Sequence, residues 1–274
     1  MLALFGLIRS DAALRVTVES LRLLQADVVA VHAYCYPPYC HLNYTRAALA
    51  AVEWQDASIE TEQPPKPRIP VACLKSQQDT KATPYIHYAY ALRSCLAALG
   101  MLRARIESAA LVAVARIDVI FLPPTPHLNS WLDVLQRAQL VVPDWENWTG
   151  VNDRFVVGRG RDVLAFVRER HRILLNQTGS TCYMAEILAC LATINLNLTT
   201  AFDPNVRFKR IRQDLRSTSV DDAVMNPEHK IQGWQRRHNL GCQQLACSAK
   251  SEVQSYGHPI RLCHRVPGRE QAVI

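Results

Sequence analysis

The apolar run at positions 111–121, LVAVARIDVIF, limits what this chain can fold into more than any other stretch. Its β-branched and small apolar side chains are typical of a strand buried on both faces of a sheet. Arg116 and Asp118 interrupt the run two residues apart, so that both point to one face, and Pro123 and Pro124 end it. A charged pair near the end of a buried strand is costly unless it is paired or used. Two interpretations stay open: an internal ion pair, or a ligand site at the carboxyl edge of an α/β sheet, which we favour.

Strand-like and helical patterns alternate along the rest of the chain. Residues 2–8, 12–25 and 28–34 predict a strand, a helix and a second strand, which together form a βαβ unit. Further helices are predicted at 45–53, 83–107, 128–137, 161–175 and 181–194, short strands at 140–143, 197–202 and 206–212, and an exposed loop at 55–70. The pattern predicts an α/β fold with a mostly parallel central sheet flanked by helices.

The positive charge of the chain is concentrated at its end. The chain has 31 Lys and Arg against 24 Asp and Glu, a net charge of +7, but the residues from position 207 onward hold 12 of the basic and 6 of the acidic side chains. The remainder is nearly neutral, which argues against a basic groove for nucleic acid. We expect residues 1–212 to form the folded domain and residues 213–274 to form a basic, loosely ordered tail.

Cysteines and glycosylation sequons bear on the cellular compartment. Cys35 and Cys40 are close enough in sequence to bridge a loop, but two free thiols are the expectation here. Four Asn-x-Ser/Thr sequons, which mark acceptors of N-linked glycans, occur at Asn43, Asn147, Asn176 and Asn197. Asn197 is expected to be buried. No apolar run reaches the length of a membrane span, and the apolar amino terminus is interpreted as the first strand, so the cytoplasm and the secretory lumen both stay open.

Five fragments in this order resemble a group of GT-A-type glycosyltransferases that occur in algae, plants and large viruses. The fragments are LALFGLIRS at 2–10, DVVAVHAY at 27–34, ARIDVIF at 115–121, GVNDRFVVG at 150–158 and FKRIR at 208–212. The resemblance implies a Rossmann-like GT-A fold over residues 1–212 that binds a nucleotide sugar as donor and a glycan or another hydroxyl compound as acceptor. It further implies that the end of the first strand and the acidic residue of the central strand hold the nucleotide and a divalent cation, Mn²⁺ or Mg²⁺.

One feature departs from that resemblance. Many GT-A enzymes carry Asp-x-Asp at the central strand, where this chain has Arg116-Ile117-Asp118. With one carboxylate instead of two, a metal bound by Asp118 would depend on diphosphate oxygens and water for its other ligands. Arg116 offers an alternative, because a guanidinium can neutralise a diphosphate directly.

Sugar transfer from a nucleotide donor requires a cation for the leaving diphosphate and a group that handles the acceptor hydroxyl. We assign the first role to Arg9 and Arg116, and Asp118 to a metal or to ribose. Asp153 is expected to act as base or as ligand of a sugar hydroxyl, with a simple turn aspartate as the alternative. Arg154 is expected to clamp Asp153 or a phosphate.

Several other side chains receive structural interpretations. Trp145 and Trp148 offer a stacking face for a sugar, although anchoring of their loop is the favoured interpretation. Glu186, on an apolar helix face, is expected to pair with Arg210 or Arg212, with a catalytic role as the second choice.

Two functions from different classes follow from these assignments. The first is a glycosyltransferase, and the second is a catalytically silent domain of the same fold that binds a glycan or a protein. A methyltransferase or dehydrogenase is disfavoured, because no Gly-x-Gly-x-x-Gly turn follows the first strand.

Overall fold

The structure is a computed structural model. It describes residues 1–8, 11–35, 40–50, 56–62, 64–65, 67–68, 82–144, 151–177 and 185–210, and four short strands between positions 245 and 265. No helix within these ranges combines the length and the apolar character that a bilayer crossing needs.

Thirteen strands are described, and nine of them form one central sheet. The strands are β1 (Leu2–Leu7), β2 (Val29–Tyr34), β3 (Asp56–Glu60), β4 (Val112–Arg116), β5 (Val119–Leu122), β6 (Leu140–Pro143), β7 (Phe155–Gly158), β8 (Thr200–Asp203), β9 (Arg207–Arg210), β10 (Leu245–Cys247), β11 (Gln254–Ser255), β12 (His258–Pro259) and β13 (Arg261–Arg265). The order in the large sheet is β10-β13-β8-β6-β7-β4-β1-β2-β3. β3, β2, β1 and β4 are mutually parallel, and β6 pairs in parallel with β8, whereas β7, β13 and β10 run antiparallel to their neighbours.

Helices cover both faces of this sheet, which confirms the predicted α/β class. They are α1 (Asp11–Ser20), α2 (Leu42–Ala50), α3 (Ala82–Met101), α4 (Arg103–Ile106), α5 (Gly160–Leu175) and α6 (Ala185–Asn195). Apolar side chains of α3, α5 and α6 pack on one face, and those of α1, α2 and the short 3₁₀ turns pack on the other. The core is therefore two apolar layers with the sheet between them.

The central apolar run does not continue as one strand. β4 ends at Arg116, the backbone turns at Ile117 and Asp118, and β5 leaves the large sheet to pair with β9. Phe121 of β5 then packs edge-on against Phe155, with 5.3 Å between the ring centroids. The apolar residues beyond the turn are thus buried over the face of the sheet. An apolar run in the sequence looks the same whether it forms one long strand or two strands separated by a turn.

Other local predictions were wrong in type. Residues 56–60, inside the expected loop, form the edge strand β3, and the expected helix at 128–137 is two 3₁₀ turns, Leu128–Trp131 and Val134–Gln136. β10 and β13, within the expected tail, extend the central sheet through the pairing of β13 with β8. Much of the segment after residue 210 lies outside the described residues, so the division at residue 212 stays a prediction.

The expectation of free thiols at the start of α2 was wrong. Cys35 and Cys40 form a disulfide bond that closes the loop between β2 and α2. Cys190 and Cys263 are disulfide-bonded as well. Cys95, buried in α3, is a free cysteine.

Candidate functional site

The end of the apolar run in β4 and the Asn152-Asp153-Arg154 segment before β7 meet because β4 and β7 pair in antiparallel fashion. Their register sets Ala115 opposite Phe155, and the backbone N–H of Arg116 donates to the carbonyl of Arg154 at 3.0 Å. The Asn152-Asp153-Arg154 loop therefore lies directly beside the carboxyl end of β4. On the other side of β4, the parallel strand β1 sets Phe5 opposite Arg116.

Arg116 and Asp118 form a two-pronged ion pair at this edge. Nε of Arg116 donates to Oδ1 of Asp118 at 2.8 Å, and Nη2 donates to Oδ2 at 2.6 Å. Arg210 joins them, with its Nε 3.2 Å from the same Oδ2, because β5 and β9 pair with Val119 opposite Arg210. The internal ion pair considered from the sequence is thus present. It lies next to the loop formed by Asn152, Asp153 and Arg154, which we call the 150s loop.

Asp153 is the second carboxylate of the cluster, and its contacts are looser. Its Oδ2 lies 3.9 Å from Nη1 of Arg116 and 4.0 Å from Nη2 of Arg170, which is within ion-pair range but beyond hydrogen-bond length. The loop is held by Asn152, whose Oδ1 accepts a hydrogen bond from the backbone N–H of Arg154 at 3.0 Å. The bend therefore depends on Asn152, which leaves the carboxylate of Asp153 facing the arginines.

Arg154 and Glu186 connect this loop to α6. Nη2 of Arg154 lies 3.6 Å from Oε1 of Glu186, and the backbone N–H of Val151 donates to the carbonyl of Glu186 at 2.9 Å. Of the two partners expected for Glu186, Arg210 donates to Asp118, and Arg212 lies outside the described residues, so the pairing expected for Glu186 stays a prediction.

Arg170 is a member of the cluster that the sequence interpretation missed. Its side chain is buried, donates through Nε and Nη2 to the hydroxyl of Tyr88, and packs against the ring of Phe166. A signal was present in the sequence, because Arg170 falls on the apolar face of α5 at helical spacing from Val163 and Val167. A cation at such a position predicts a buried anionic partner.

The described cluster contains four guanidinium groups and three carboxylates. Its members are Arg116, Arg154, Arg170 and Arg210, with Asp118, Asp153 and Glu186. Burial raises the pKa of Asp153, but Arg154, Arg116 and Arg170 outweigh it and hold that pKa below its usual range. Burial lowers the pKa of Arg116, and Asp118 and Asp153 more than reverse this shift. Asp153 and Arg116 are therefore both ionised at neutral pH.

Asp118 does not have the surroundings of a metal ligand. Both of its oxygens accept hydrogen bonds from guanidinium groups. No group of three His, Cys, Asp or Glu side chains within the described ranges is arranged to hold a metal ion. Since guanidinium groups already occupy positions around both carboxylate oxygens, the described residues do not fit a divalent ion at Asp118.

Arg9, Trp145 and Trp148 lie outside the described residues, so their expected roles stay predictions.

A second polar network lies beneath the carboxyl ends of β1, β2 and β3. Ser94 of α3 donates its hydroxyl proton to the carbonyl of His32 at 2.6 Å and accepts the backbone N–H of Gly6 at 3.0 Å. Nδ1 of His32 lies 3.0 Å from the same hydroxyl oxygen, and Nε2 lies 3.0 Å from Oε1 of Glu60. Gly6 has a φ of 124°, a conformation that glycine adopts far more readily than other residues. The network therefore holds the backbone of Gly6 in a positive-φ conformation, one residue from Phe5, which pairs with Arg116.

The fold and the cluster define an α/β protein with a buried arginine–carboxylate site at the carboxyl edge of its central strands. No protein-family model matches the chain, and no curated protein matches it. Among solved structures, the chain is similar to the galactosyltransferase LgtC in complex with donor and acceptor sugar analogues, with a TM-score of 0.36, 12% identity and 70% of each chain covered. It is also similar to mouse xyloside xylosyltransferase 1 in its apo form, with a TM-score of 0.30 and 10% identity over 63% of this chain and 70% of that one. At these TM-scores, the activity of neither protein transfers to this chain.

Proposed function

We propose that this chain transfers a sugar from a nucleotide-sugar donor to a hydroxyl acceptor. The observation that carries the proposal is the cluster of Arg116, Arg210, Asp118 and Asp153 beside the 150s loop. It supplies fixed positive charge and an ionised carboxylate together at the sheet edge where α/β proteins bind nucleotides.

The arginines are suited to the leaving group. As the bond between the anomeric carbon and the diphosphate oxygen breaks, its electron pair stays on the diphosphate, whose negative charge has to be stabilised. The contacts with Asp118 use Nε and Nη2 of Arg116, and its Nη1 faces Asp153. Asp118 thus fixes the orientation of Arg116 and Arg210, so that little rearrangement is needed when a diphosphate binds.

Asp153 is better suited to charge stabilisation than to proton transfer. A general base works best when its pKa is near the operating pH, and the surrounding arginines keep the pKa of Asp153 low. We therefore assign its carboxylate to a sugar hydroxyl or to the positive charge that develops at the anomeric carbon. The acceptor oxygen bonds to that carbon, and its proton leaves with the departing nucleoside diphosphate.

The cationic role proposed for Arg116 and Arg210 makes the transfer independent of a divalent ion. A metal at Asp118 would have to displace the guanidinium donors from both carboxylate oxygens. We therefore propose that EDTA leaves donor binding and turnover unchanged.

The experiment is a thermal denaturation series of the full chain with uridine, guanosine and cytidine diphosphates, with Mn²⁺ and with EDTA. A ligand at 100 times its Kd stabilises the fold by about 2.7 kcal/mol, so a matching nucleotide raises the Tm measurably. Arg210→Met removes one cation but leaves the Arg116–Asp118 pair intact, and it is expected to reduce the Tm shift. Arg161→Met is the matched control, because that side chain is 76% exposed. Absence of a shift with every nucleotide contradicts the proposal.

The ion pair between Arg116 and Asp118 also favours a second function, a catalytically silent domain that binds a glycan or a protein partner. In a domain without catalytic activity, the Arg116–Asp118 ion pair would have a structural role alone. The two functions are distinguished by incubating the chain with sugar nucleotides of the nucleoside diphosphate that gives a Tm shift, since release of the nucleoside diphosphate supports the transferase. Binding without release favours the silent domain.

A further inference from the structure

The asparagines of three of the four sequons fall within the described residues, and all three asparagines are exposed. Asn43 lies in the first turn of α2, Asn176 follows the last residue of α5, and Asn197 lies in the turn after α6. Their side chains are exposed, so the expectation that Asn197 is buried was wrong. Each is followed by threonine at the second position, at residues 45, 178 and 199.

Their local backbone suits a bulky substituent. Asn176 is the residue at which α5 stops, and Asn197 has a φ of 51°, in the left-handed region that asparagine tolerates in turns. Asn152 and Asn205, by contrast, are about 1% exposed, and neither is part of a sequon. Among the described asparagines, those that begin a sequon are therefore exposed, whereas the two buried asparagines do not begin one.

The disulfide bonds are an independent observation that points to the same compartment. Cys35 is bonded to Cys40, and Cys190 and Cys263 are also disulfide-bonded. Disulfides persist in oxidising compartments such as the endoplasmic reticulum and are rare in the cytosol. N-linked glycans are characteristic of secretory proteins.

We propose that Asn43, Asn176 and Asn197 are N-glycosylation sites and that the chain folds in the secretory lumen. At Asn197, a glycan is compatible with the candidate site. The register through β8, β6 and β7 places the start of β8 level with Val112, the first residue of β4, whereas the ionic cluster begins at Arg116, the last residue of that strand. A glycan at Asn197 therefore projects from the edge of the sheet opposite the cluster.

The test uses the full chain purified from the cells that naturally make it. Peptide-N-glycosidase converts a glycosylated asparagine to aspartate, so peptide mass spectrometry after treatment in heavy-oxygen water should find labelled aspartate at positions 43, 176 and 197. Asn129 and Asn195 are the internal controls, because both are exposed and neither begins a sequon. Unmodified asparagine at all three positions, or a chain whose Cys35 and Cys40 are both reduced in the cell, overturns the proposal.

A second measurement assigns each site separately. The full chain, expressed in eukaryotic cells behind a cleavable signal peptide, should lose one glycan mass with each of Asn43→Gln, Asn176→Gln and Asn197→Gln, and none with Asn129→Gln. A site whose variant keeps the full glycan mass is not an acceptor. Glycosidase treatment at position 197 leaves the ionic cluster unchanged. Nucleotide-induced Tm shifts should therefore be equal before and after treatment. This keeps the test of glycosylation separate from the test of the proposed transferase activity.

Discussion

Arg116 and Asp118 stand two residues apart at the end of β4 and are joined by two hydrogen bonds, of 2.8 and 2.6 Å. The turn at Ile117 lets both side chains reach the same side, and Arg210 then binds the carboxylate from β9. The ion pair fixes the point at which the chain leaves the central sheet. Its disruption should therefore affect both stability and ligand binding.

Asp118→Asn should lower the free energy of unfolding by about 3 kcal/mol, because it removes the buried carboxylate that pairs with both Arg116 and Arg210. Urea denaturation measures the change. Asp133→Asn, at an exposed position, is the control and should stay within about 0.5 kcal/mol of the unsubstituted chain. A loss below about 1 kcal/mol for Asp118→Asn would mean that water already solvates this pair.

Tyr88→Phe should cost about 1–3 kcal/mol, since Arg170 loses the hydroxyl that accepts two of its N–H groups in a buried site. A double-mutant cycle with Arg170→Met should give a coupling energy of at least about 0.5 kcal/mol. Tyr44→Phe, on an exposed ring, serves as the control. Strict additivity of Tyr88→Phe and Arg170→Met would show that the contact contributes nothing to stability.

Asp153 should make stability depend on pH in the acid range. Its pKa is lower in the folded chain than the value of about 3.9 typical of unfolded peptides, so its contribution is present above that value and is lost as the pH falls through the folded pKa. Asp153→Asn should therefore show a shallower loss of unfolding free energy between about pH 5 and pH 2. Asp56→Asn, at an exposed strand position, should keep the slope of the unsubstituted chain. Parallel curves for Asp153→Asn and the unsubstituted chain would contradict the ion-pair assignment.

Ser94→Ala should cost about 1–3 kcal/mol, because the buried N–H of Gly6 and the ring of His32 both lose a partner. Amide hydrogen exchange at Gly6 should become faster in this variant. Ser108→Ala removes an exposed hydroxyl that bonds only within its own turn, and it should be neutral. Equal effects of the two substitutions would rule out a structural role for the Ser94 network.

Local patterns correctly predicted β1, β2, α1 and the long helix that is now α3, because burial on one or both faces leaves a periodic apolar signature. They failed at β3, which lies beside a proline-rich segment and at the sheet edge, where five residues carry little apolar signal. They also failed at residues 128–137, since a 3₁₀ turn and an α-helix bury similarly spaced side chains. The disulfide between Cys35 and Cys40 was missed because spacing does not determine whether two thiols are bonded.

The amino-acid order alone determined which residues of the candidate site are costly to bury, namely Arg116, Asp118, Asp153 and Glu186. It could not determine how they pair, because their contacts join residues up to 92 positions apart, as with Arg210 and Asp118. The antiparallel register of β4 with β7 and of β5 with β9 decided those pairs. A shift of one residue in either register turns alternate side chains to the opposite face of the sheet. The sequence alone therefore shows which charged residues the candidate site contains, whereas the distances between them are set only when the strands pair in the folded sheet.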